Sequence, residues 1–163
     1  MKIFFSKNLI ILSLICIGIF LRFYQINLEN YWLDEQASYY SSIPNIPFSE
    51  TLKRNEFIDE SNYLLFTLIL KFFYHIFGYD PFLGRYIPLI FGVLSIPAMG
   101  YLSYILSNKK NYIFAIFLTT INIYLIQYSQ ELRPYSFVFF LCLLNLIFFY
   151  KLSENYPNSY KDY

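Results

Sequence analysis

The sequence predicts an all-α fold, a polytopic transmembrane helix bundle of about four spans, and three observations predict it. Of its 163 residues, 57% are hydrophobic and only 14% charged, whereas soluble domains hold roughly 45–50% and a quarter. The mean hydropathy is +0.41. The apolar residues also gather in long uncharged runs, several near the ~20 residues that cross a bilayer core as a helix. With 19 Phe and 18 Tyr, the chain is too hydrophobic to remain solvated and disordered. A net charge of +1 provides no electrostatic footprint for nucleic acid. Cys16 and Cys142 both lie inside apolar runs, which excludes a disulfide framework and a cysteine metal cluster.

The first run, residues 8–24, follows Lys2 and Lys7 and ends in the bulky sequence Arg22, Phe23, Tyr24, Gln25, Ile26. A signal-peptidase site needs small residues there, so the run predicts an uncleaved first span. Residues 25–61 form a polar outer loop containing Glu29, Asp34, Glu35, Glu50, Glu56, Asp59 and Glu60. Pro44 and Pro47 divide it into at least two short elements. Residues 86–106, 111–129 and 134–151 supply the remaining spans, with Pro88, Pro97, Asn122 and Asn145 inside them. Such residues are tolerated where neighbouring helices re-satisfy the backbone. Residues 153–163 are a polar tail.

Residues 62–78 are apolar but carry Lys71 and His75. Counting them as a span would put Lys109 and Lys110 outside. Laying them along the membrane as an interfacial or re-entrant helix puts Lys109, Lys110, Lys151 and Lys161 inside, as the positive-inside tendency requires. Asp34, Glu35 and Glu131 then share the non-cytoplasmic face of what reads as a multi-pass membrane protein. Acidic groups at a membrane boundary are functional candidates by default.

Two segments carry the candidate chemistry. In Trp32-Leu33-Asp34-Glu35-Gln36, Asp34 can cap a short helix with Glu35 in its first turn. Equally, a carboxylate held at the lipid–water boundary can accept a proton from a hydroxyl nucleophile or orient one. Tyr31, Trp32, Tyr39 and Tyr40 suit an aromatic belt or a stacking surface for a sugar ring. In Tyr128-Ser129-Gln130-Glu131-Leu132-Arg133-Pro134-Tyr135, Glu131 and Arg133 either keep a turn wet or supply a second carboxylate and a phosphate donor. Arg22 and Arg85, at the edges of apolar runs, read as snorkelling to headgroups. The lone His75 reads as packing, and Gly92 and Gly100 as a helix-packing face. Carboxylates from two loops are also compatible with Mg²⁺ or Mn²⁺, without demanding either.

Taken in order, these segments resemble the N-terminal part of the GT-C membrane glycosyltransferases. The likeness is to bacterial relatives of dolichyl-phosphate-mannose protein mannosyltransferases and aminoarabinose transferases. It rests on Leu21-Arg22, Trp32-Leu33-Asp34-Glu35, Phe77-Gly78, Gly84-Arg85, Phe91-Gly92-Val93-Leu94-Ser95-Ile96-Pro97 and the octet Tyr128–Tyr135, and it covers about residues 8–152. Where family members commonly have His or Asn before Pro-Pro, this chain has Asn62-Tyr63-Leu64. The resemblance implies juxtamembrane helices in the first outer loop and an inverting transfer of sugar from a polyprenyl-phosphate donor to an acceptor hydroxyl at the outer face of the plasma (inner) membrane. It implies Asp34 as the catalytic base or orienting group. Glu35, Glu131 and Arg133 would serve as substrate-binding residues. Family members are several times longer, so the resemblance also implies an N-terminal fragment, its cavity completed by a C-terminal region or a partner chain. The alternative from another class is a non-catalytic small membrane protein or subunit, packing against a partner polytopic chain through Asn122, Gln127 and Asn145.

Overall fold

The computed structural model describes residues 2–58, 63–107 and 111–155. The described residues form nine helices: α1 (Lys2–Phe23), α2 (Leu33–Ser41), α3 (Phe48–Ile58), α4 (Leu64–Phe77), α5 (Pro81–Gly84), α6 (Tyr86–Leu106), α7 (Tyr112–Ile121), α8 (Ile123–Gln130) and α9 (Tyr135–Asn155). There is no strand among them, and the fold is the all-α bundle that the composition predicts. Asn62, the lysine pair Lys109–Lys110 and most of the polar tail lie outside the described residues.

Helix α6 is the hub, packing against α1, α7, α8 and α9. Glycines let it approach closely. A Cβ on Gly92 would meet the Ser129 Cβ of α8 at 2.5 Å, and one on Gly100 would meet Ile116 of α7. The packing face predicted for these two glycines is therefore real, and it faces the α7–α8 pair. One core, Phe66, Leu70, Tyr74, Ile87, Leu132 and Phe137, lies under the outer loop; a second, Leu102, Leu143 and Ile147, lies between α6 and α9. The outward faces of α1 and α9 leave Leu9, Leu12, Phe20, Phe148, Phe149 and Leu152 exposed. Apolar surface on this scale, on helices of bilayer length, is the signature of a protein solvated by lipid.

Two helices, Pro81–Leu106 and Tyr135–Glu154, are long and apolar enough to cross a membrane, and the α7–α8 pair is a third if it counts as one span. The protein is thus a membrane protein with two or three such helices among the described residues, where the sequence predicts four spans. The first predicted span, residues 8–24, falls in α1, a helix of 22 residues that lies alongside α6 and α7. Helix α4 has 14 residues, about 21 Å at 1.5 Å per residue, too short to span and in keeping with an interfacial placement.

The predicted span over 111–129 is broken. Helices α7 and α8 meet at 55°. At the break, Asn122 turns to extended backbone and its side chain caps α8 by accepting from the Leu125 N–H at 3.1 Å. Asn competes well for this position because its short amide reaches orphan N–H groups. The break strands the last carbonyls of α7, and Arg22 takes them, donating to Thr119 O at 2.9 Å and Thr120 O at 3.3 Å. Arg22 is therefore fully buried, not snorkelling, because a helix C-terminus is a better partner for a guanidinium than a distant headgroup. Gln130 closes the end of α1 from the other side, donating to Tyr24 O at 2.8 Å and to Leu21 O and Arg22 O at 3.2 Å. His75, predicted to pack, is instead exposed in the last turn of α4. The buried edge of that helix is already filled by Phe66, Thr67, Leu70 and Tyr74.

Candidate functional site

The segment between α1 and α4 is anchored at its start by a buried ion pair. Glu35 and Arg85 are both buried, and Arg85 donates from Nε to Glu35 Oε1 and from Nη2 to Oε2, each at 2.8 Å. The other Arg85 hydrogens reach Ile26 O at 2.7 Å, Glu29 O at 2.9 Å and Asn30 O at 3.4 Å. All five guanidinium donors are thus used. Glu35 also accepts from the Leu132 N–H at 2.7 Å and the Trp32 N–H at 3.2 Å. Arg85 sits between α5 and α6, where Asp80 caps α5 and Pro81 occupies its first turn. One carboxylate therefore joins the start of α2, the head of α6 and the turn after α8. The snorkelling expected of Arg85 fails for the same reason: these partners lie inside the fold.

Helix α2 begins at Leu33 with Trp32 as its N-cap residue. The capping role open to Asp34 is accordingly not used; Asp34 lies in the first turn, exposed. Arg133, buried, donates to the Asp34 backbone carbonyl at 3.1 Å, which fixes the 131–134 turn against α2. Glu131 is partly buried and accepts from Gln127 Nε2 at 3.1 Å. Burial pushes its carboxyl above the ordinary value, while the Gln127 hydrogen bond pulls the other way.

Asp34, Glu131 and Arg133, nearly a hundred residues apart in sequence, line a single cavity of about 300 Å³ with Trp32, Gln127 and Tyr135. A second cavity, about 380 Å³, adjoins it; Trp32, Glu35, Gln127 and Glu131 line both, and Gln25, Glu29 and Gln130 extend the second. Such a site can accept hydrogen bonds from hydroxyls through two carboxylates and bind an anion through one guanidinium. Glu35 is also at this wall, but its carboxylate is engaged with Arg85 and two backbone N–H groups. Sequence reasoning left out Gln127 as a site residue; its position one helical turn before Glu131 was the available signal. Trp32, the chain's one tryptophan, is 68% exposed and stands between the two cavities. No three His, Cys, Asp or Glu side chains gather as a metal-ligand set among the described residues.

No protein-family model, curated protein or solved structure matches the chain.

Proposed function

We propose that the protein is the N-terminal portion of a GT-C-type glycosyltransferase, moving a sugar from a polyprenyl-phosphate donor to an acceptor hydroxyl at the outer face of the plasma membrane. The observation that carries this reading is the convergence of Asp34, Glu131 and Arg133 on one cavity at the head of apolar helices. A polar-lined cavity of about 300 Å³ above a lipid-facing bundle suits a substrate with a polar head and a lipid tail.

In this reading the Asp34 carboxylate accepts the proton of the acceptor hydroxyl. The acceptor oxygen forms a bond to the anomeric carbon as the bond from that carbon to the phosphate oxygen breaks, with inversion. The electron pair of the broken bond leaves on the polyprenyl phosphate, and Arg133 neutralises the developing charge. Glu131 orients sugar or acceptor hydroxyls. We assign Glu35 to positioning: through Arg85 and Leu132 it holds the two halves of the cavity in register.

The test is transfer in native membranes from a radiolabelled polyprenyl-phosphate sugar, comparing the unaltered enzyme with Asp34→Asn. The reading expects transfer to fall about 10²–10⁴-fold, the usual contribution of a positioned general base, with membrane insertion unchanged. Full transfer by the inserted variant would remove Asp34 from the mechanism. The subunit alternative keeps Asn145, exposed on α9, whereas Asn122 and Gln127 are engaged within the chain.

A further inference from the structure

A third cavity, about 470 Å³, opens beside the ion pair and is lined by Tyr31, Tyr39, Tyr40, Phe82, by Glu29 and by three amide side chains. It shares no lining residue with the Asp34–Glu131 cavity and meets the adjoining second cavity only at Glu29 and Arg85. We propose that it is a separate binding site for a neutral sugar ring.

Its chemistry selects the ligand. Asn27, Asn30 and Gln36 each present both donors and acceptors, the combination that pairs with vicinal hydroxyls. The rings supply flat apolar faces for the C–H side of a pyranose, as small-molecule sites commonly do with a few placed polar groups. An anion finds no cation to bind, because Arg85, the one cation in the lining, has spent all five donors on Glu35 and on loop carbonyls. Nor do the rings close into an aromatic cage for an ammonium group, and Glu29 in the lining serves as a further hydroxyl acceptor. The Arg85 guanidinium already lies 5.0 Å from the Tyr31 ring centroid, and Tyr39 is stacked on Tyr79 at 4.1 Å and 7°. Tyr40 and Phe82 remain open, at 53% and 60% exposure. This site does not depend on the transfer reaction proposed above.

The experiment is saturation-transfer difference NMR on the full chain in phosphatidylcholine nanodiscs free of glycosidic detergent. The probes are methyl α-mannoside and methyl β-glucoside. Saturation of the aromatic protons should reach the glycoside ring protons of at least one probe. That signal should fall roughly fivefold or more in Tyr40→Ala, which loses a stacking ring. Gln36→Ala should weaken it too, and Asp34→Asn should leave it intact. The proposal is overturned by no signal from either glycoside, by a signal indifferent to both Tyr40→Ala and Gln36→Ala, or by displacement with millimolar choline. A signal lost only in Asp34→Asn would place the sugar in the acid-lined cavity, and would equally overturn it.

Discussion

Arg85 and Glu35, fifty residues apart, meet in a two-pronged ion pair with both contacts at 2.8 Å, buried beneath the outer loop. The pair is more than two charges. Around it, three carbonyls of the 26–30 segment and two backbone N–H groups of the α2 start and the 132 turn complete every bond it can make. A buried pair of this kind stabilises little relative to apolar residues, yet removing one partner is severe because it strands the other charge.

Glu35→Ala should therefore destabilise the protein by about 3–5 kcal/mol, read as thermal unfolding in lipid nanodiscs. Arg85→Lys should rescue little, since an ammonium offers three donors where five bonds are made. The charge swap Glu35→Arg with Arg85→Glu should also fail, because the carbonyls of Ile26 and Glu29 would then face a carboxylate. A swap as stable as the parent would show that charge alone, not this geometry, holds the loop.

The buried Arg22 gives a second prediction. Arg22→Met preserves length and apolar packing but leaves the Thr119 and Thr120 carbonyls without their donor. A loss of about 1.5–3 kcal/mol is expected, the range for a hydrogen bond to a charged group. A snorkelling arginine would cost almost nothing, so the same unfolding measurement separates the two placements.

Two glycines should differ although both are tightly packed. A Cβ on Gly18 would meet Ile96 Cδ1 at 2.4 Å, the far end of a side chain that can turn away. On Gly92 the obstacle is Ser129 Cβ at 2.5 Å, which is fixed to the backbone of α8. Gly92→Ala should cost about 1–3 kcal/mol by forcing α6 from α8, and Gly18→Ala clearly less. The ratio of their unfolding shifts is the check.

Much of this was legible from the chain. The helical class, an apolar α4 too short to span and the gathering of Asp34, Glu131 and Arg133 at one cavity all follow from run lengths and charge placement. What escaped depends on relationships between runs. Asn122 looks like any tolerated polar residue until its backbone turns, and only that turn exposes the carbonyls that draw Arg22 inward. Arg85 sits at the edge of an apolar run just as a snorkelling residue would; its partner lies fifty residues away, at no helical or strand spacing. Gln130 could not be read as a cap for α1, because nothing local joins positions 24 and 130.

Glu131 yields a pH prediction. Its folded-state carboxyl is held above the ordinary value, first by desolvation, with the Gln127 hydrogen bond opposing. A raised carboxyl favours the folded state while protonated, so its contribution is lost as pH rises from the unfolded value through the folded one. Gln127→Leu removes the bond that favours the charged form and should move the Glu131 titration further upward. Carbon-13 NMR of labelled glutamate in nanodiscs follows the shift; a downward movement would contradict the assignment of Gln127 as the partner.

The central claim is that Asp34, Glu131 and Arg133 enclose the polar head of a lipid phosphate, and Trp32 reports on it directly. As the chain's one tryptophan it lines that cavity, so its fluorescence can be titrated with a short-chain polyprenyl phosphate in nanodiscs. The account predicts a saturable change whose midpoint weakens about tenfold or more in Arg133→Gln, the loss of one charge-assisted contact, and persists in Asp34→Asn. A titration with no saturable change, or one equally strong without the Arg133 guanidinium, would contradict it.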